Sequence, residues 1–86
     1  MNLDRIIEEA DKAEEALQVL LDGAANPAES REAFRRVAIH IGRAHGQVDA
    51  ARVSSAHQLF IRRCVVEVLE SIERKAIRAA IKLDET

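Results

Sequence analysis

Arginine side chains have the most suggestive placement in this sequence. Arg31 and Arg35 are four residues apart and share a helical face, and Arg62 and Arg63 are adjacent within a strongly apolar segment. A guanidinium group binds carboxylates and phosphates through paired hydrogen bonds, so arginines in such positions favour binding an anion or orienting a partner. The alternative is that they pair with acidic side chains of the same chain. We therefore treat all four as candidate binding residues.

The histidines and the single cysteine are the other side chains that could support chemistry. His57 and Cys64 are seven residues apart and share a helical face, but the ligand spacings typical of zinc sites are missing. Nucleophilic catalysis needs a cysteine or serine beside a base, and the sequence contains neither such a motif nor a phosphate-binding loop. We expect no metal site, no cofactor and no catalytic residue. Cys64 is expected to be buried as a small apolar side chain.

The charge balance argues against nucleic acids and membranes as partners. The chain has 86 residues and a net charge of -2, and Phe34 and Phe60 are its only aromatic residues. Nucleic-acid binding usually requires a basic surface, often with stacking aromatic rings. No apolar run approaches the roughly 20 residues that span a bilayer. The single cysteine and the lack of a secretion signal predict a cytoplasmic protein.

The first 22 residues carry a clear helical pattern. Apolar residues recur at intervals of three and four from Leu3 to Leu20. This spacing predicts an amphipathic helix that Asn2 caps and Gly23 ends. The outer face of this helix is acidic, because seven acidic and two basic residues lie in positions 1–22.

The second helix is predicted from its caps. Asn26 followed by Pro27 is typical of a helix N-terminus, so the helix is expected to begin at Pro27. Two glycines weaken its other end, and we expect it to stop or bend between His45 and Val48.

The third helix is predicted to follow a cap at Asp49, Ser54 or Ser55 and to run to about Leu83. Apolar residues cover more than half of its circumference, which is more than one neighbouring helix can bury. Either this helix is central to the bundle, or its spare face packs on another chain. The apolar residues that join the arginines as candidate binding residues are Val65, Val66, Val68 and Leu69.

These patterns predict a single all-α domain over residues 1–86. The expected fold is a three-helix antiparallel bundle with a long C-terminal helix, and an intertwined helical dimer is the alternative arrangement. The predicted function is a small non-enzymatic protein–protein interaction module, such as a regulator, adaptor, chaperone or inhibitor, that docks a helical face on a partner protein. A homodimer is also expected, since small domains without disulfides or metals often gain stability by oligomerising. A nucleic-acid-binding regulator is a further alternative.

Several short segments within residues 42–66 follow a family pattern. They are Gly42-Arg43-Ala44-His45, Val48-Asp49-Ala50, Gln58-Leu59-Phe60 and Cys64-Val65. These segments resemble the later helices of the all-helical chorismate mutases. The resemblance implies a three-helix intertwined dimer and, as an alternative function, a small enzyme with an arginine-rich anion pocket. The chain departs from the family's long first helix, which Gly23 and Asn26-Pro27 interrupt here.

Overall fold

The computed structural model describes residues 2–23 and 26–84 as a bundle of three helices. These are α1 (Leu3–Leu21), α2 (Pro27–Ala50) and α3 (Ala56–Asp84), and the described residues contain no strand. Each helix contacts the other two. The molecule is elongated, with principal extents of 47 × 18 × 16 Å. The predicted all-α fold class is confirmed.

Polar residues fix where α1 and α2 begin. The Asn2 side-chain oxygen accepts a hydrogen bond from the Arg5 backbone N–H at 3.3 Å, and the Asn26 oxygen accepts one from the Glu29 N–H at 2.9 Å. Each bond satisfies an amide group that has no partner in the first helical turn. Gly23 follows α1 with a φ of 75°, the left-handed conformation that favours glycine after a helix. Both predicted helix beginnings are confirmed.

The junction between α2 and α3 differs from the prediction. The sequence predicted that α2 would stop or bend between His45 and Val48, but the helix continues to Ala50. Val48 is fully buried, and its packing outweighs the weak helix propensity of the nearby glycines. Ser55 is the predicted cap that α3 uses, because its hydroxyl oxygen accepts a hydrogen bond from the Gln58 backbone N–H at 3.1 Å.

The core is built from alanine and branched aliphatic side chains. Among the described residues, most of the core belongs to α1 and α2, and α3 contributes three residues, of which Leu69 is the first. Alanines let the helices approach closely, but each buries little apolar area. The buried apolar residues are Ile6, Ala13, Ala16, Leu17, Leu20, Ala33, Val37, Ile41, Ala44, Val48, Leu69, Ile72 and Ala76.

The helices differ in length and therefore cannot cover one another throughout. They contain 19, 24 and 29 residues, which corresponds to about 28, 36 and 44 Å at about 1.5 Å per residue. Leu20 and Leu21, at the end of α1, line a groove together with residues 75–83 at the end of α3. With these ends side by side, α1 falls short of the first ~10 residues of α3. About the first third of α3 is thus left without α1 as a neighbour.

Removing the Asn26 cap is expected to destabilise the fold. Asn26→Ala should lower the free energy of unfolding by about 1 kcal/mol, because the first turn of α2 loses a hydrogen-bond acceptor. Pro27→Ala serves as the control and should have a smaller effect, since alanine also fits the first helical position. Urea unfolding measures both. An Asn26→Ala variant as stable as the parent would show that the cap does not stabilise this junction.

Candidate interaction surface

The first half of α3 is an apolar segment without a buried residue. None of the residues 56–68 is buried, and the first buried residue of α3 is Leu69. We call residues 56–68 the open segment. Its side chains include Phe60, which is 66% exposed, and Leu59 and Val68, each 49% exposed. A concentration of exposed apolar side chains typically marks a contact site in a small protein.

Within the open segment, three side chains form one stripe along the helix. Phe60, Cys64 and Val68 follow at intervals of four residues, so they span about 80° of the helix circumference. Arg63 and Glu67 lie on one flank of this stripe, about 100° and 60° from Cys64. All five residues are exposed. We call them together the Phe60 face.

Most of the candidate binding residues predicted from the sequence lie in the open segment. These are Arg62, Arg63, Val65, Val66 and Val68. Arg63 and Val68 are exposed, whereas the other three are half-buried. Leu69 follows the open segment and is 0% exposed. It therefore anchors α3 to the core and is not part of the surface.

The candidate arginines do not converge on one pocket. Arg62 lies 3.9 Å from Asp49 near the end of α2. Arg31 and Arg35 are exposed near the start of α2, which places them about 27 and 21 Å along this helix from Asp49. Among the described residues, none of these arginines forms an ion pair with an acid of α1. Within residues 2–23 and 26–84, Arg62 is thus the one candidate arginine that forms an ion pair, and the pair contributes little because Asp49 is 76% exposed.

The thiol of Cys64 is exposed, so the expectation of a buried cysteine is wrong. The cause is orientation, because Cys64 points about 140° around the helix from the buried Leu69. Lys75 and Lys82, which lie in nearly the same direction as Cys64, are exposed as well. Apolar composition around Cys64 predicted burial, but composition alone does not reveal which neighbours are present. Cys64 is instead at the centre of the Phe60 face.

One mostly buried polar contact joins α1 to α2. His40 Nδ1 and Glu9 Oε2 are 2.6 Å apart, and their side chains are 18% and 14% exposed. The hydrogen bond with His40 lowers the pKa of the Glu9 carboxyl, and attraction to His40, Lys12 and Arg43 acts in the same direction, whereas partial burial opposes it. The contact satisfies mostly buried polar atoms between α1 and α2 and favours one position of α1 along α2.

Replacing Glu9 by glutamine is expected to make the fold less stable and less sensitive to acid. Glu9→Gln should cost about 1 kcal/mol at neutral pH, since a charge-assisted hydrogen bond is lost. Because the folded-state pKa of Glu9 is lowered from 4.5, its carboxylate stabilises the fold fully above that value and loses this contribution as the pH falls through the folded-state pKa. The variant should therefore lose less stability on acidification than the parent.

Urea unfolding at neutral and acidic pH measures both effects. The matched control is Glu8→Gln, whose carboxylate is 62% exposed and pairs only with Lys12 on the surface. This control should change little at either pH. If Glu9→Gln lost as much stability in acid as the parent, the Glu9 contact would not contribute to the pH dependence.

An open groove lies at the opposite end of the molecule, where α1 and α3 end. It has a volume of about 580 Å³ and combines an apolar floor with three basic side chains. The lining residues are Leu20, Leu21, Lys75, Arg78, Ala79, Ile81, Lys82 and Leu83. None of them carries a carboxylate, an imidazole or a thiol, so the groove offers apolar and cationic contacts. These basic residues are three and four residues apart in the sequence, which places them on one side of α3, but no binding role was predicted for them.

Phe60, Leu59 and Cys64 were also missed as surface contacts at the sequence level. The interval of four residues from Phe60 through Cys64 to Val68 was visible in the sequence. However, α3 is apolar around most of its circumference, so periodicity did not show which side the rest of the bundle covers. The positions of the neighbouring helices around α3 decide that question.

Neither a metal-binding cluster nor a membrane-spanning helix is recognisable in the part of the chain that the structure describes. Residues 2–23 and 26–84 contain no group of three or more histidine, cysteine, aspartate or glutamate side chains that could hold a metal ion. In this part of the chain, no helix has an apolar stretch sufficient to cross a membrane. No protein-family model, no curated protein and no solved structure matches the chain.

Proposed function

We propose that the chain is a small non-enzymatic protein–protein interaction module, and that the open segment of α3 is its contact surface. The observation that carries the proposal is the exposure of Phe60, at 66%, within a segment that has no buried residue. Burying an apolar side chain of this size contributes about 1.5–3 kcal/mol. Aromatic side chains are also enriched at the centres of protein interfaces, where they act as anchors.

We infer an antiparallel arrangement of the three helices in each protomer. The contact between Glu9 and His40 joins positions nearly equidistant from the connection between α1 and α2, as in a helical hairpin. Leu20 and Leu21 share a groove with the last turns of α3, as expected when α3 returns along α2 and runs parallel to α1. In this arrangement the open segment projects beyond α1.

We further propose that a second copy of the chain covers the open segment. The surface is suited to itself, because Arg63 and Glu67 supply opposite charges beside one apolar stripe. A symmetric dimer would bury apolar surface that the small alanine-containing core leaves open, and would add stability without a disulfide or a metal. Affinity would come from helix-on-helix packing of the apolar side chains, and the charged flank would set the orientation. We also propose a cytoplasmic location, where reducing conditions keep the exposed Cys64 as a thiol.

Light scattering over a dilution series tests this proposal. We expect a mass of twice 9.6 kDa in concentrated solution that falls towards 9.6 kDa on dilution. The thermal midpoint should rise with protein concentration, because association stabilises the folded state by mass action. A compact monomer at every concentration, with a melting temperature independent of concentration, would contradict self-association.

A further inference from the structure

We propose that two copies pair antiparallel across the Phe60 face, with the two-fold axis passing beside Cys64. This inference rests on the self-association proposed above and specifies its register. Phe60 precedes Cys64 by four residues and Val68 follows it by four. A two-fold axis at Cys64 therefore places Phe60 against the partner's Val68, and Cys64 against the partner's Cys64. Each large apolar side chain of the stripe then meets an apolar side chain.

The charged flank favours the same register. Arg63 and Glu67 lie on the same side of the stripe, and the midpoint between them is one residue from Cys64. An antiparallel two-fold brings the same flank of both helices together, so Arg63 lies beside the partner's Glu67 twice in each dimer. A parallel two-fold would instead bring this flank against the partner's opposite flank, which carries the half-buried Ile61 and Val65, so neither charge would meet an opposite charge. The charges thus select the antiparallel orientation.

The Phe60 face is free to make this contact in each protomer. Ile61 and Val65 are half-buried and lie on the flank opposite Arg63, towards the side of α3 that enters the core. Arg62 points about 160° away from Cys64 and is near Asp49. Within the described part of the chain, neither Arg63 nor Glu67 forms an ion pair. Their charges remain available to a second copy.

Charge reversal tests the orientation. Arg63→Glu and Glu67→Arg should each weaken the dimer about tenfold, because each brings like charges together across the two-fold axis. The double variant Arg63→Glu/Glu67→Arg exchanges the two charges and should recover the parent dissociation constant to within about threefold. Glu15→Arg changes the net charge by the same amount as Glu67→Arg at an exposed position of α1, and should leave the dissociation constant unchanged.

Cross-linking of the single cysteine tests the position of the axis. With glutathione disulfide as oxidant, two Cys64 thiols give up two protons and two electrons, one S–S bond forms between protomers, and two glutathione thiols are released. This bond requires the two Cα atoms to come within roughly 7 Å. We expect the native chain to become a covalent dimer. The control Cys64→Ser/Glu73→Cys moves the thiol about 180° around the helix to another exposed position and should cross-link at least tenfold more slowly.

The results separate this inference from the proposed function. Recovery in the double variant together with preferential cross-linking at Cys64 supports the register. One contrary outcome is a dimer by light scattering whose double variant is weakened by the sum of the two single effects, and another is a dimer whose Glu73→Cys control cross-links as fast as the native chain. In either case the register is wrong and self-association stands. A monomer at every concentration overturns both proposals.

Discussion

Val68→Glu is expected to convert the dimer into a folded monomer. The substitution places a carboxylate in the apolar stripe, where a second copy would remove it from water without a charged partner. We expect the dissociation constant to rise by about a hundredfold, the equivalent of about 2.8 kcal/mol. Val68 is 49% exposed in the protomer, so the carboxylate remains hydrated there and the helices should stay folded.

The matched control is Val19→Glu, the same substitution on α1. Val19 is 45% exposed, which is close to the exposure of Val68, but it lies outside the open segment. Light scattering gives the mass of each variant, and circular dichroism gives its helix content. A dimer that is equally weakened by both substitutions, or a Val68→Glu variant that unfolds, would refute the assignment of Val68 to a contact surface.

Leu69→Ala is expected to produce the largest loss of protomer stability. Leu69 is 0% exposed and begins the short set of α3 residues that enter the core. Truncating it should cost about 3 kcal/mol, because transfer free energy is lost and a cavity remains. Since Ile72 and Ala76 are the only further buried apolar residues in the described part of α3, little else compensates within this helix.

Leu59→Ala is the internal control for this effect. It removes the same atoms from the same helix at a position that is 49% exposed. Both substitutions are best compared by urea unfolding in the Val68→Glu background, where association does not contribute to stability. There we expect Leu59→Ala to cost about 1 kcal/mol or less. Equal losses for the two variants would mean that the boundary between open segment and core does not lie at Leu69.

The parts of the fold that could be predicted from the sequence are those that local interactions decide. Asn2 and Asn26 bond to amides three residues further along, so their capping roles are readable from adjacent residues. The end of α2 depends on a distant contact, because burial of Val48 sustains the helix past its glycines. The exposure of Cys64 depends on which side of α3 faces the other two helices, which no local pattern encodes.

The candidate surface was predicted only in part for the same reason. Periodicity placed Arg63 and Val68 on a contact surface, and both are exposed. It also placed Leu69 there, although Leu69 is adjacent to Val68 and points about 100° away, into the core. Phe60 was left out although it is the most exposed large apolar residue described. A helix with apolar residues on most sides reveals its free side only when its neighbours are placed.

The reaction rate of the Cys64 thiol, measured against protein concentration, tests the central claim most directly. Cys64 is exposed in the protomer and lies in the middle of the surface that we assign to the second copy. With a thiol reagent in excess, we expect rapid alkylation in dilute solution and slow alkylation in concentrated solution, in proportion to the fraction of monomer. Val68→Glu should react rapidly throughout. A native chain whose thiol reacts equally fast at every concentration would show that no second copy covers the Phe60 face.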